Sequence, residues 1–225
     1  MEMMDYTMEL TIKNKNFLRT LEETSDMFIE HKDLMQQLAK NLGNVPIGEG
    51  KKYTEPETYY EALEQSENHT GFPTRGYAFQ IFDGLISHSR IFYPLNEHTK
   101  YNLVQQFNAN SNSLTSYYPP QGYIEWHTNW NAFGYQIIFT WSESGDGYFR
   151  YFDKEKNDFV THEDKKGWQA RWYRFGRLNE PEHHCWHSAW TECPRLTLAY
   201  KFSYKSVTPE QAFMGISDLI EEIEN

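Results

Sequence analysis

The alternation of hydrophobic and polar positions changes rhythm once along the chain, near residue 117. Before it, Phe17, Leu18, Leu21, Phe28, Leu34, Leu38 and Leu42 recur at helical spacing with acids and lysines between them. That pattern predicts a helix over residues 14–42. The stretch from Gly43 to Gly50, with Pro46 inside it, ends the helix in a loop. Pro56 opens a short helix over residues 55–65. Leu103, Val104 and Phe107 supply the buried stripe of a third, over residues 97–107.

After Tyr117, short aromatic and β-branched runs alternate with turns, the mark of an antiparallel sheet. Residues 135–141 are apolar enough for a strand buried on both faces. Ser144-Gly145-Asp146-Gly147 predicts a hairpin into residues 148–153. Further strands are expected at 158–161, 167–175, 184–190 and 195–204. Thr208 as N-cap and Pro209 at the first helical position start an amphipathic helix that runs to Glu224. Helices first and strands afterwards predict an α+β, mainly β fold. In it, N-terminal helices pack on one side of a β-sandwich or jelly roll and a C-terminal helix follows. The 225 residues suit one domain with a full core. Residues 1–110 would be a mainly helical support region, 117–204 the jelly-roll core and 208–224 the C-terminal helix.

Composition narrows the function. The chain carries a formal net charge of -11, which repels a duplex phosphate backbone unless a basic patch offsets it. Lysines and arginines are scattered, and the densest group, Arg171 to Arg177, is followed by acids, so double-stranded nucleic acid is not the expected partner. Arg150, Arg171 and Arg174 read as surface charges, with contact to an anionic substrate as the alternative. The 16 Tyr, 15 Phe and 7 Trp favour sheets with large packed side chains and ring-lined cavities. Cys185 and Cys193 are too few for a disulfide framework. No apolar run is long enough to span a bilayer, and the N-terminus lacks a basic-then-apolar leader, so an intracellular, soluble, cytoplasmic protein is expected.

Two segments carry candidate chemistry. Read as a strand, residues 123–130 send Tyr123, Glu125, His127 and Asn129 to one side and Ile124, Trp126, Thr128 and Trp130 to the other. His127 and Asn129 could then reach one metal, although alternation of this kind is also ordinary for a half-buried strand. In the second segment Arg195 and Thr197 share a face, opposite Leu196 and Leu198. A guanidinium beside a hydroxyl suits a carboxylate; equally, it suits an inward arginine paired with an acid of the fold. His187 lies eight residues before Arg195, so one turn between adjacent strands brings both to one cavity. Two imidazoles from different strands can close a facial metal site with open positions.

Taken in order, Tyr118…Gly122…His127-Thr-Asn129 resembles the Tyr…Gly…His-x-Asp signature of prolyl-4-hydroxylase-like 2-oxoglutarate/Fe(II) oxygenases, and His187…Arg195-x-Thr197 is similar to that family's distal iron ligand and cosubstrate clamp. The match covers residues 117–204, and the overall texture resembles small members encoded by bacteriophages. The resemblance implies a double-stranded β-helix of cupin-like form, with iron held by His127, Asn129 and His187. It further implies that Arg195, Thr197 and the Tyr118 hydroxyl hold 2-oxoglutarate, with ascorbate as the reductant in assays. The implied reaction is hydroxylation of a small-molecule or peptide substrate whose identity the sequence does not fix.

Asn129 departs from the signature, which has a carboxylate there. Three arrangements are open: Asn129 binds weakly through its amide oxygen, Glu125 supplies the carboxylate, or water or an anion fills the position. His184 is the alternate to His187 as second histidine. Two rival readings stand beside the oxygenase. One is a structural zinc site drawn from His183, His184, Cys185, His187 and Cys193, whose spacing lacks a Cys-x-x-Cys knuckle. The other is a non-catalytic jelly roll, a binding or structural module that has lost its metal carboxylate.

Overall fold

The structure, a computed structural model, describes residues 7–65, 71–202 and 208–225. Its centre is a jelly roll of antiparallel strands. One sheet runs in the order β1 (Thr7–Leu10), β9 (Gly167–Phe175), β6 (Gly134–Ser142), β11 (Arg195–Phe202), β4 (Ser111–Tyr118). The other runs β5 (Tyr123–His127), β10 (His187–Thr191), β7 (Gly147–Asp153), β8 (Asp158–Glu163). The strand β3 (Gly76–Gln80) joins them at a corner. Its Gly76 and Tyr77 pair with Ile124 and Tyr123, whereas its Phe79 and Gln80 pair with Tyr117 and Ser116. A short β2 (Lys40–Leu42) pairs with β3 off this path. Antiparallel neighbours throughout fit the expected mainly β, double-stranded β-helix.

Alternation along the strands of the first sheet sorts their side chains between two compartments. Ile137, Phe139, Ala170, Trp172, Leu196, Leu198 and Tyr200 point outward, away from the second sheet, and are buried there by helices. These are α1 (Lys15–Ile29), α2 (Lys32–Leu38), α4 (Ile81–Ser87), α5 (Ser89–Glu97), α6 (Leu103–Gln106) and α7 (Pro209–Glu224). Phe17 and Leu21 of α1 and Ile216 and Leu219 of α7 enter the same core. Asn14 caps α1, its Oδ1 accepting from the amides of Asn16 and Phe17, while its Nδ2 donates to Glu222 O and so ties the first helix to the last.

Several expectations need correction. The helix read over 14–42 is two helices followed by β2, because the chain turns at residues 30–31 and Ala39 is extended. The 97–107 helix begins earlier, at Ser89, and passes through a π turn over His98–Asn102 before α6. The helical support region also donates three strands, β1, β2 and β3. Nor do the N-terminal helices all lie on one side: α3 (Pro56–Glu64) covers the outer face of the second sheet, where Tyr59 packs on Trp126, Phe152, Phe159 and Trp186. Arginine 171, expected at the surface, is buried on the inner face of β9. The C-terminal helix lies where expected; the 195–204 strand is described as far as Phe202, its last two expected residues falling outside the described ones.

Phe139 is completely buried, with its ring 5.5 Å from Phe17, 5.2 Å from Phe107 and 6.1 Å from Tyr200. Phe139→Ala should therefore cost about 3–5 kcal/mol in urea unfolding. A loss below about 1 kcal/mol would show that the helices do not depend on this contact with the sheet.

Candidate metal centre and lumen

The inner faces of the two sheets enclose a lumen lined by polar as well as aromatic side chains. His127 ends β5 and His187 begins β10, and the antiparallel register sets them directly opposite each other. Their rings lie 4.1 Å apart, centroid to centroid, and both residues are nearly fully buried. Each Nδ1 is 2.8 Å from a carbonyl oxygen two residues earlier, Glu125 O for His127 and Cys185 O for His187. A carbonyl only accepts, so each Nδ1 carries the proton, and in the neutral ring Nε2 is left as a lone pair. This is the arrangement in which a protein orients metal-ligating histidines.

Asn129 joins the pair by a route the alternation did not foresee. The strand stops at His127, and Asn129 sits beyond it in the left-handed region, φ 55° and ψ 25°, a conformation asparagine tolerates better than most residues. Its amide Nδ2 is 3.1 Å from His187 Nε2 and donates to that lone pair. Rotating the amide by half a turn would present Oδ1 at the same place.

Glu125 is not brought to the histidines. Between His127↔His187 and Ile124↔Ala189 the strand β5 has one residue more than β10, a bulge that breaks the alternation. Ile124 packs with the lumen residues Phe149 and Ala189. The Glu125 carboxylate instead accepts from the Thr74 amide, the Thr74 hydroxyl at 2.6 Å, the Arg75 amide at 2.7 Å and Arg75 Nη1 at 3.1 Å. His184 is also drawn elsewhere, with Nε2 2.7 Å from Arg177 O. His183 ends a 3-10 turn outside the strand. Burial pushes the Cys185 thiol up to about 12. Among the described residues, no three His, Cys, Asp or Glu side chains converge on a common metal position, so the rival zinc reading finds no assembled ligand set there.

Arg195 and Thr197 meet as alternation along β11 predicts. Arg195 Nη1 donates to Thr197 Oγ1 at 2.8 Å, and Tyr118, the cross-strand partner of Arg195, lays its ring 5.6 Å from the guanidinium. A partner the sequence did not announce is Asp164, whose Oδ2 accepts from Arg195 Nε at 2.8 Å while Oδ1 accepts from Gln169. Both charges are buried. Burial works against the arginine's charge, but the Asp164 carboxylate outweighs it and holds the guanidinium protonated. Gly147 makes room for the acid: a Cβ there would stand 2.7 Å from Asp164 Oδ2.

The remaining walls went unread in the sequence. Phe149 stacks on His187 with centroids 5.1 Å apart, and Phe175 lies 5.3 Å from the same ring. Gln169, Arg171, Tyr173 and Phe175 share the inward face of β9. Their alternation was legible in residues 167–175; that this face turns inward was not. On β8, burial reinforced by nearby Arg171 pushes His162 down to about 4.

No family model matches the sequence, and no curated protein matches it. Solved structures with a similar chain path include a prolyl-4-hydroxylase from Pseudomonas putida, 10% identical, with TM-score 0.42 over 88% of this chain and 92% of that one. A ribosomal oxygenase from Escherichia coli is 12% identical, with TM-score 0.32 over 67% of this chain and 36% of that one. A dioxygenase for auxin oxidation in rice is also 12% identical, with TM-score 0.28 over 82% and 80%. The likeness is one of chain path alone, and the chemistry is argued from the residues of the lumen. Among the described residues no helix is long and apolar enough to cross a membrane.

Two measurements test this electrostatic layout. Asp164→Asn strands a buried guanidinium and should cost about 3–5 kcal/mol in chemical denaturation, whereas the paired change Asp164→Leu with Arg195→Met should cost much less. Equal losses would show that the charge pairing is not what matters. His162 has a folded pKa below its ordinary 6.5, so between about pH 6.5 and 4 the unfolded chain binds the extra proton. Its contribution is complete above that window and is lost as pH falls through it. The drop in urea midpoint from about pH 7 to about pH 5 should shrink in His162→Gln, and an unchanged drop would assign the acid sensitivity to other groups.

Proposed function

We propose that the protein is a 2-oxoglutarate- and Fe(II)-dependent oxygenase, with the metal held by His127 and His187 and, more weakly, by the amide oxygen of Asn129. One observation carries this reading: two buried imidazoles stand opposite each other on adjacent strands with centroids 4.1 Å apart, each with Nδ1–H held on a backbone carbonyl, so that Nε2 is the acceptor nitrogen. Imidazole nitrogens with an amide oxygen are a donor set for a borderline divalent ion. When bound, iron would let dioxygen, the oxidant, hydroxylate a substrate carbon while 2-oxoglutarate is oxidised to succinate and carbon dioxide.

The chain's own residues have three tasks in this scheme. The backbone carbonyls of Glu125 and Cys185 keep each histidine in the ligating tautomer. Arg195, Thr197 and Tyr118 would hold the distal carboxylate of 2-oxoglutarate, the guanidinium offering N–H groups beyond those given to Asp164 and Thr197. Phe149 and Phe175 press on His187 and keep water from its outer face. The substrate would be a small molecule or a peptide.

A second reading rests on Asn129. With an amide where a carboxylate would stand, and with no three acidic, thiol or imidazole ligands converging among the described residues, the same jelly roll suits a binding module without turnover. Anaerobic Fe(II) titration and succinate formation from 2-oxoglutarate separate the two. The oxygenase reading expects Fe(II) binding that His127→Ala and His187→Ala each abolish, and an affinity raised about tenfold or more in Asn129→Asp. It also expects succinate release that requires His127. Fe(II) affinity indifferent to both histidine substitutions would overturn the metal site. Binding without any succinate, across varied substrates, would leave the non-catalytic module.

A further inference from the structure

The inward positions of β9 form a ladder between the two ends of the lumen. Phe175 lies against His187 at one end. At the other, Gln169 bonds Asp164, the partner of Arg195. Tyr173 and Arg171 stand between them. Two residues of strand advance about 6.6–6.8 Å, so the Arg171 backbone is about 13 Å along the strand from that of Phe175 and about 7 Å from that of Gln169.

Arg171 is 6% exposed, yet among the described residues its Nε has no hydrogen-bond partner. Its Nη2 meets Glu9 at a loose 3.5 Å, and Glu9 also accepts from Lys165 at the surface. A buried guanidinium with an unmade bond is costly, and an oxygen ligand is its natural complement. A narrow pocket adjoins it, lined by Arg171, Gln169, Thr140, Ile138, Phe149 and Tyr173. Outside this lining, His162, paired across the ladder with Phe149, has a buried nitrogen, Nε2, that also lacks a hydrogen-bond partner among the described residues. Arg195, by contrast, already has its charge met by Asp164.

We propose that this pocket is a carboxylate-binding subsite, in which Arg171 Nε holds the ligand oxygen with Thr140 beside it, and that the molecule acted upon is a small organic acid. Phe149 gives the connection, since its ring both lines the pocket and stacks on His187 at 5.1 Å. A molecule anchored by its carboxylate at Arg171 extends along that ring toward the paired histidines. As a statement about the substrate this rests on the oxygenase reading; as a binding site it does not.

The test uses metal-free full-length protein with acetate as probe, followed by the arginine Nε–H resonances in NMR and by calorimetry. Saturable acetate binding is expected, with the Arg171 resonance shifting. Arg171→Gln should weaken it about tenfold or more, and Arg171→Lys, which keeps the charge but loses Nε–H, should also weaken it. His127→Ala should leave acetate affinity unchanged while removing Fe(II) binding, so failure of the iron reading and failure of this one are told apart. Should Arg171→Gln not fold, Thr140→Val carries the same expectation of weakened binding. No saturable effect up to about 100 mM acetate, or equal affinity in the Arg171 variants, overturns the subsite. Loss of binding in Arg195→Gln with none in Arg171→Gln would move the anion site to Arg195.

Discussion

Everything in the lumen depends on how β3 divides its hydrogen bonds. Its first residues pair with β5 and its last with β4, so one strand belongs to two sheets and the sheet turns a corner there. Only after that turn do the inner faces look at each other, with β5 and β10 on one side and β11, β6 and β9 on the other. Gly76 suits the corner, since even a Cβ there would come within 3.2 Å of the Tyr123 carbonyl. Flat sheets carrying the same residues would leave the histidines and the arginines on one wet surface, far apart and screened.

Enclosure sets strict electrostatic terms. A buried charge needs a partner, and the lumen meets this with Arg195 on Asp164 and, less completely, Arg171 on Glu9. Among the described residues no carboxylate joins the histidine pair in a three-ligand group. A divalent ion bound there by neutral donors would keep its full charge within a low-dielectric site, and so would draw anionic ligands strongly. Asn129 in place of a carboxylate would weaken the hold on such an ion and leave the ion more attractive to an acid. The unmade bond of Arg171 points to the same class of visitor.

Parts of this were legible along the chain. The strands from 134 onward, the hairpin at Gly145 and the C-terminal helix follow from local periodicity and turn chemistry. Arg195 with Thr197, two apart on a regular strand, meet as alternation requires. Alternation misled at Glu125, because a one-residue bulge is invisible in a hydrophobic pattern and moves the side chain off the expected face. It misled again at Asn129, which reaches His187 from a left-handed turn rather than from the strand. Strands β1, β2 and β3 were missed because they are short and lie among helices, where their pairing partners come from distant segments.

The sequence by itself determined the succession of elements, the residue types able to bind metal and acid, and the absence of a carboxylate at position 129. These are local matters, written in spacing, side-chain chemistry and turn residues. Tertiary structure alone decided which histidine faces His127, that Asp164 answers Arg195, and that Arg171 lies inside the lumen rather than on the surface. Each of those outcomes depends on which face of a strand turns toward another strand. That face is set by register, bulges and the corner at β3, through pairings between residues as far apart as Glu9 and Arg171. No local pattern encodes such pairings, because their free energy appears only when the sheets close.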